Sequence, residues 1–192
     1  MAVLPIYNCF HPILSKPTKF IDEIDDKIID LADNMLETLH KTGNGIGLAA
    51  NQVGESRSLI VIDLSAAKEY KNEKPIIMVN PIIDSFSEDL VEFEEGCLSV
   101  PDFYEKILRP EAIQVVYYDL KGKEYNKNID GLLARVMQHE IDHLNGILFY
   151  QRLSLLKRNM TKNKLNKIKN GIILPDYPYV LPDGKLVGQE SN

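Results

Sequence analysis

Between about residues 22 and 41, apolar side chains recur at helical spacing: Ile24, Ile28, Leu31, Ala32, Met35 and Leu39, with acidic and polar residues between them. The pattern predicts a first helix ending at Gly43-Asn44-Gly45, where glycine follows the last periodic position. A compact loop over 45–54 comes next. Four short runs rich in Val, Ile, Tyr and Phe then read as strands: 58–63, 76–80, 90–94 and 113–118. Gly122 sits where a hairpin turn would join two strands. Asp130 is placed to cap a second helix over about 131–144, closed by Asn145-Gly146. A third helix is expected over 153–169, with Leu153, Leu156, Met160, Leu165 and Ile168 as its apolar positions. Pro175, Pro178 and Pro182 make 171–192 an extended tail. Strands gathered between helices predict an α+β fold. Mainly antiparallel sheets surround a central helix, flanked by an N-terminal and a C-terminal helix. The expectation is one domain over 1–170, including the C-terminal helix, followed by the tail.

Composition narrows the class. Hydrophobic residues make up 44% and charged residues 26% of 192, which suits a folded globular chain and excludes disorder along its length. No apolar run approaches the roughly 18 residues of a membrane helix, and no signal peptide is legible at the N-terminus. The expected location is therefore the cytoplasm, without a membrane partner. Cys9 and Cys97 are the two cysteines, and in that compartment a structural disulfide is not expected. Charge is uneven. The segment 151–170 holds seven basic residues and no acidic ones, so a net charge of −6 leaves −13 on the rest.

The central helix carries the chemistry. It reads His139-Glu140-Ile141-Asp142-His143, and residues four apart share a helix face, so two imidazoles can converge on one ion. Glu140 stands beside His139, where it can take a proton from a water that the ion acidifies. Two histidines on a helix surface would be the bland alternative, but the chain has only four. A catalytic site needs a third protein ligand. Phe149 stands where one protease pattern has a third histidine, and the only glutamate after His143 is Glu190, close to the C-terminus. The ligand must then come from upstream, where His11, His40, Cys9, Cys97 and several carboxylates are open choices. Cys97 is attractive because Gly96 frees the backbone before a thiol that suits divalent metals beside imidazoles. Cys9 reads as a small buried apolar residue.

Three segments stand together: 45–52 (GIGLAANQ), 95–99 (EGCLS) and 138–143 (QHEIDH). In this order and spacing they resemble the signature motifs of peptide deformylases, across about residues 1–150. The resemblance implies a metal held by Cys97, His139 and His143, with Glu140 as general base and acid. The ion in the family is usually Fe2+, and Zn2+, Ni2+ or Co2+ fit the same ligands. It implies removal of the formyl group from N-formyl-methionyl peptides. The Gln52 side chain and the Leu98 backbone N–H would meet the developing oxyanion. Ile46 and Gly47 fall on the substrate-contacting edge, where the peptide would lie as an added strand. Glu95 is placed beside the substrate too, in an ion pair with Arg109.

Two residues depart from the family pattern. Arg135 stands where relatives often carry an aliphatic residue, and its stem is expected to run past the pocket rim to water. Tyr104 stands where many relatives carry arginine. The basic helix over 153–169 reads first as a solvated helix packed on the domain. The resemblance adds a contact with ribosomal RNA, which its charge would favour. A monomer is expected. Two other function classes fit less well. An HExxH endoprotease lacks its downstream ligand, and a structural metal module would have no use for Glu140.

Overall fold

The computed structural model describes residues 2–188. Its strands and helices are, in chain order, β1 (Ile6–Tyr7), α1 (Asp26–Lys41), β2 (Gly47–Ala49), β3 (Leu59–Ile62), β4 (Ile76–Phe86), β5 (Leu90–Cys97), β6 (Val100–Pro110), β7 (Ala112–Tyr118), β8 (Glu124–Asp130), α2 (Gly131–Leu144), α3 (Leu155–Lys169), β9 (Tyr179–Val180) and β10 (Leu186–Val187). The fold is α+β, as the pattern of elements predicts. The main sheet runs β2-β3-β4-β7-β8, antiparallel throughout. Strands β5 and β6 form a separate antiparallel hairpin. A small third sheet pairs β9 in parallel with β1 and antiparallel with β10.

Strand β3 shows why the sheet has helices on both faces. All four of its residues are apolar and buried. Alternation sends Leu59 and Val61 to one face, against Ile28, Ala32, Met35 and Leu39 of α1. Ile60 and Ile62 go to the other face, against Ala134, Val136, Met137 and Ile141 of α2. Burying a side chain of this size stabilises by about 1.5–3 kcal/mol relative to exposure, so the two layers fix α1 and α2 across the same strand. Asp25 caps α1 by accepting the Ile28 N–H at 3.0 Å.

Several boundaries move. β4 extends to Phe86, beyond the predicted Asn80, through a bulge that follows Val79. Asn80 adopts φ +52°, a conformation asparagine tolerates, and its amide exchanges two hydrogen bonds with the Ile21 backbone, both 2.9 Å. β2, β6 and the returning strand β8 were not separately predicted. β2 lies in the stretch expected to be loop, and its three residues are too few for periodicity to register. Asp130 occupies the N-cap position of α2 without a side-chain capping bond and is also the last residue of β8.

α3 starts at Leu155, two residues later than predicted, with Ser154 as its cap. Leu153, Leu165 and Ile168 are buried, but Leu156 and Met160 are 70% and 75% exposed, so the first half of the helix stands clear of the core. The segment after α3 is extended, and it returns to the domain. Ile6 N–H donates to Pro178 O and Asn8 N–H to Val180 O, both at 2.9 Å. Residues 189–192, with Glu190, lie outside the described residues.

Candidate active site

Helix α2 is enclosed by the molecule: every residue from Ala134 to Leu144 is buried. Its histidines therefore face protein. The hairpin β5–β6 brings Cys97 to them from one side and β2 brings Gly47 from the other. The Cys97 sulfur, His139 and His143 ring nitrogens all lie within 4.8 Å of one another, and Cys97 Sγ is 3.1 Å from His143 Nε2. Among the described residues this is the one cluster of three or more such groups that could hold a metal ion. The alternatives have other occupations. His40 pairs with Asp63 at 2.7 Å. His11 packs edge-on against Tyr7 and caps a short 3₁₀ turn over Pro12–Ser15. Cys9 is buried, and burial pushes its thiol well above the ordinary range. Phe149 packs against the His139 ring at 5.7 Å between centroids.

The surroundings fix the tautomer of His139. Its Nδ1 is 2.9 Å from Glu95 Oε2, so Nδ1–H donates to the carboxylate and Nε2 is left as the ligand atom. Glu95 also receives Arg109 Nε at 2.6 Å, Arg109 Nη2 at 2.9 Å and Arg135 Nη1 at 3.0 Å. Burial raises its pKa, but the hydrogen bonds from His139 and Arg109 and the Arg109 charge outweigh it and hold the carboxyl far below the usual range. Arg109 reaches on to Asp142 Oδ2 at 2.6 Å, and Arg152 closes the same carboxylate from the other side. Glu95 lines the cleft, yet both its oxygens are engaged. Its carboxylate joins His139 to the two arginines.

Glu140 is the exception in this paired network. It is buried, and its Oε2 meets no hydrogen-bond partner in the protein. Burial raises its pKa to about 7, although the nearby His139 opposes that shift. A carboxyl poised there can both take and return a proton near neutrality. Its other oxygen sets the need for glycine at position 47: a Cβ there would come within 2.6 Å of Glu140 Oε1 and 2.9 Å of Val136 Cγ1. Burial lowers the His143 pKa well below its usual value, and the neighbouring His139 and Arg109 charges lower it further. Burial also opposes charge on His139, but hydrogen bonds with Cys97 and Glu95 overcome this and raise it to about 10. His143 Nδ1, like Glu140 Oε2, is buried without a protein partner.

Gln52 sits on a short 3₁₀ turn over Ala50–Val53. Its Oε1 accepts the Ala49 N–H at 2.8 Å, which turns Nε2 toward Ser99 Oγ at 3.3 Å and Cys97 Sγ at 3.5 Å. The amide is thus aimed at the cluster. Ile46, Gly47, Gln52, Cys97, Leu98, His139 and Glu140 all border one cleft of about 470 Å³. β2 is an edge strand of the main sheet, with Gly47 paired to Ile62 on one side and the cleft on the other.

Arg135 corrects the sequence expectation. Its guanidinium is not at the rim. It is buried and bonds Glu95, Ile107 O at 3.1 Å and Val91 O, drawn inward by the Glu95 charge and two strand carbonyls. Tyr104 stays 55% exposed, with its ring over Gly96, where a Cβ would meet Tyr104 Cε1 at 2.5 Å. Sequence reasoning missed Asp142, Arg152, Ser99 and Asn51, whose side-chain amide donates to His143 O. Asp142 could have been found, since an acid between two histidines on a buried helix needs a cation. Also missed was Tyr177, whose hydroxyl donates to Leu98 O at 2.7 Å; nothing local in the sequence announces it.

The chain is similar to known proteins over most of its length. The sequence profile of the polypeptide deformylase family matches residues 3–159. A peptide deformylase of Agrobacterium fabrum is 43% identical over 167 residues, covering 87% of this chain and 96% of that protein. One from Salinibacter ruber is 40% identical, covering 96% and 98%. The crystal structure of a peptide deformylase from Legionella pneumophila superposes with a TM-score of 0.79 at 41% identity, covering 89% of this chain and 98% of that one. With its fold, its motifs and most of its length shared in this way, the chain belongs to the polypeptide deformylase family, metal-dependent hydrolases that remove the N-formyl group from nascent polypeptides.

Proposed function

We propose that Cys97, His139 and His143 hold one divalent cation, Fe2+ in the cell, and that Glu140 moves the proton in deformylation of N-formyl-methionyl peptides. The observation that carries this is the convergence of one sulfur and two imidazoles within 4.8 Å beside a buried carboxyl oxygen with no partner. One thiolate and two imidazoles also accept Zn2+, Ni2+ or Co2+. When bound, the cation acidifies the attacking water and withdraws charge from the formyl group. Glu140 takes the proton of that water and passes it to the leaving amine, so formate and a free N-terminus result. Gln52 Nε2 and the Leu98 N–H stand where charge develops on the formyl oxygen, and donors placed in advance lower the barrier by about 3–4 kcal/mol each. Glu95 and Arg109 keep the His139 ring in its tautomer and orientation. Ile46 and Gly47 present the free edge of β2 to the peptide, which adds as a strand while the methionine side chain enters the cleft.

The same proposal places a monomer in the cytoplasm, with α3 against ribosomal RNA. The lysines of α3 support that contact, and phosphate binding by such a helix weakens as salt rises. Removing the residues after 152 should abolish co-sedimentation with ribosomes at low salt, and unchanged co-sedimentation would end this part of the reading. No helix among the described residues is long and apolar enough to cross a membrane.

The deciding experiment is formate release from formyl-Met-Ala-Ser by protein purified without oxygen and loaded with Fe2+ or Ni2+. Turnover that depends on metal and disappears in Cys97→Ala is the expected result. A folded, metal-loaded protein that releases no formate would overturn the proposal.

A further inference from the structure

The returning segment after α3 reaches the catalytic cleft. Pro175, Asp176 and Tyr177 border the same space as Cys97 and Glu140. Pairing of β9 with β1 fixes where this segment lies, and Tyr179 at the start of β9 is fully buried. Two phenols then point at the connection between β5 and β6. The Tyr177 hydroxyl donates to Leu98 O and the Tyr179 hydroxyl to Ser99 O, both at 2.7 Å. Burial keeps both phenols protonated, so both act as donors.

The connection they hold is only Leu98 and Ser99, between a ligand-bearing strand end and the start of β6. Each residue there keeps two soft backbone dihedrals. Ser99 is doubly secured: its carbonyl also accepts the Cys9 N–H at 2.9 Å, and its hydroxyl accepts Gln52 Nε2 at 3.3 Å. Leu98 has its carbonyl tied by Tyr177, and its side chain rests near Gly45. Its N–H and its C=O belong to the two peptide planes that meet at its Cα. Tying the second plane limits how far the first can turn.

We propose that Tyr177 is a positioning residue for deformylation: its hydroxyl bond to Leu98 O keeps the Leu98 N–H aimed into the cleft. The proposal rests on the reading in which that N–H meets the formyl oxygen. A donor held in advance counts in the transition state more than in the bound substrate, so its loosening acts on kcat before KM. Losing an oxyanion donor outright costs about 10²–10³ in kcat, and one that is loosened but still present should cost less, on the order of tenfold.

Tyr177→Phe removes one oxygen and keeps the ring. With the full-length, Fe2+-loaded or Ni2+-loaded protein and formyl-Met-Ala-Ser, kcat should fall about tenfold, with KM within about twofold and metal content unchanged. Tyr179→Phe should lower kcat less than about threefold, because Ser99 O retains the Cys9 N–H. Hydrogen exchange gives a readout independent of turnover: the Leu98 amide should exchange faster in Tyr177→Phe while the amides of α2 do not. An unchanged kcat and unchanged Leu98 exchange in Tyr177→Phe would overturn the proposal. So would equal losses in the two variants, which would mark both tyrosines as packing only. If Tyr177→Phe folds too poorly to assay, faster exchange spread over α2 as well would count against a local positioning role. An inactive wild-type protein would instead sink the underlying reading, so the two failures are told apart.

Discussion

Helices α2 and α3 are nearly the same length, 14 and 15 residues, yet they live under opposite physics. On α2 eleven residues are buried, including Arg135, His139, Glu140, Asp142 and His143; on α3 only Leu165 and Ile168 are. A charge on α3 keeps its water, so its neighbours matter little. A charge on α2 has lost its water and must be matched. The Glu95–Arg109–Asp142–Arg152 chain does this, with Arg135 and His139 joined to it. Chemistry is placed where desolvation leaves a carboxyl, Glu140, without a cationic partner of its own. The contrast teaches that an unpartnered polar atom carries information only on the buried helix.

Breaking the match should therefore have the largest effect. Arg109→Met leaves Glu95 and Asp142 buried without their shared guanidinium, and should lower stability by about 3–5 kcal/mol, read from denaturant unfolding. A loss below about 1 kcal/mol would show that Arg135 and Arg152 suffice. Protons can break the same network. Glu95 has its carboxyl held below its ordinary 4.5 in the folded chain. The stability it contributes is fully present above that value and is lost as pH falls below it toward the folded pKa. Melting temperature should decline with acid below about pH 4.5 in the wild type, and Glu95→Gln should flatten that decline.

The unmatched group is tested next. Glu140→Gln keeps the shape and removes the proton acceptor; formate release should drop by about 10²–10⁴-fold with metal content retained. Metal loss in parallel would mean that Glu140 serves binding instead of proton transfer. A smaller effect is expected from Gly47→Ala. The added methyl meets Glu140 Oε1 and Val136 Cγ1, and overpacking of this kind costs about 1–3 kcal/mol. Since the carboxyl is one of the groups displaced, kcat/KM should fall, and an unchanged kcat/KM would show that Glu140 moves aside without loss. The smallest effect belongs to α3. Leu156→Ser and Met160→Ser, at exposed positions, should change stability by no more than about 0.5 kcal/mol. A larger loss would mean that the outer half of α3 is covered by something in solution.

Legibility divides along the same line. Periodicity located α1, because one of its faces repeats every three or four residues against a fixed layer, whereas α2, buried from Ala134 to Leu144, was placed by Asp130 before it and Asn145-Gly146 after it. Periodicity also found α3, but could not show that Leu156 and Met160 continue the apolar pattern without a surface to cover. β3 was found because a strand buried on both faces is apolar throughout. β2 was missed because three residues carry too little pattern. At the site, His139, Glu140 and His143 were legible from spacing alone. Cys97 was one choice among several until the family motifs were considered.

What the sequence by itself determined is local: which residues share a helix face, which short runs are strand-like, and that two imidazoles and a carboxylate stand within about one turn. These follow from backbone geometry that repeats over a few residues. Tertiary structure alone decided the rest. It brought Cys97 to His143 across 46 positions, buried the Arg135 guanidinium expected at the rim, and returned Tyr177 to Leu98 across 79. Such pairs leave no local trace, because burial and partnership are set by which distant segments pack together. A charge or a hydroxyl reads as solvated until the fold removes the water around it.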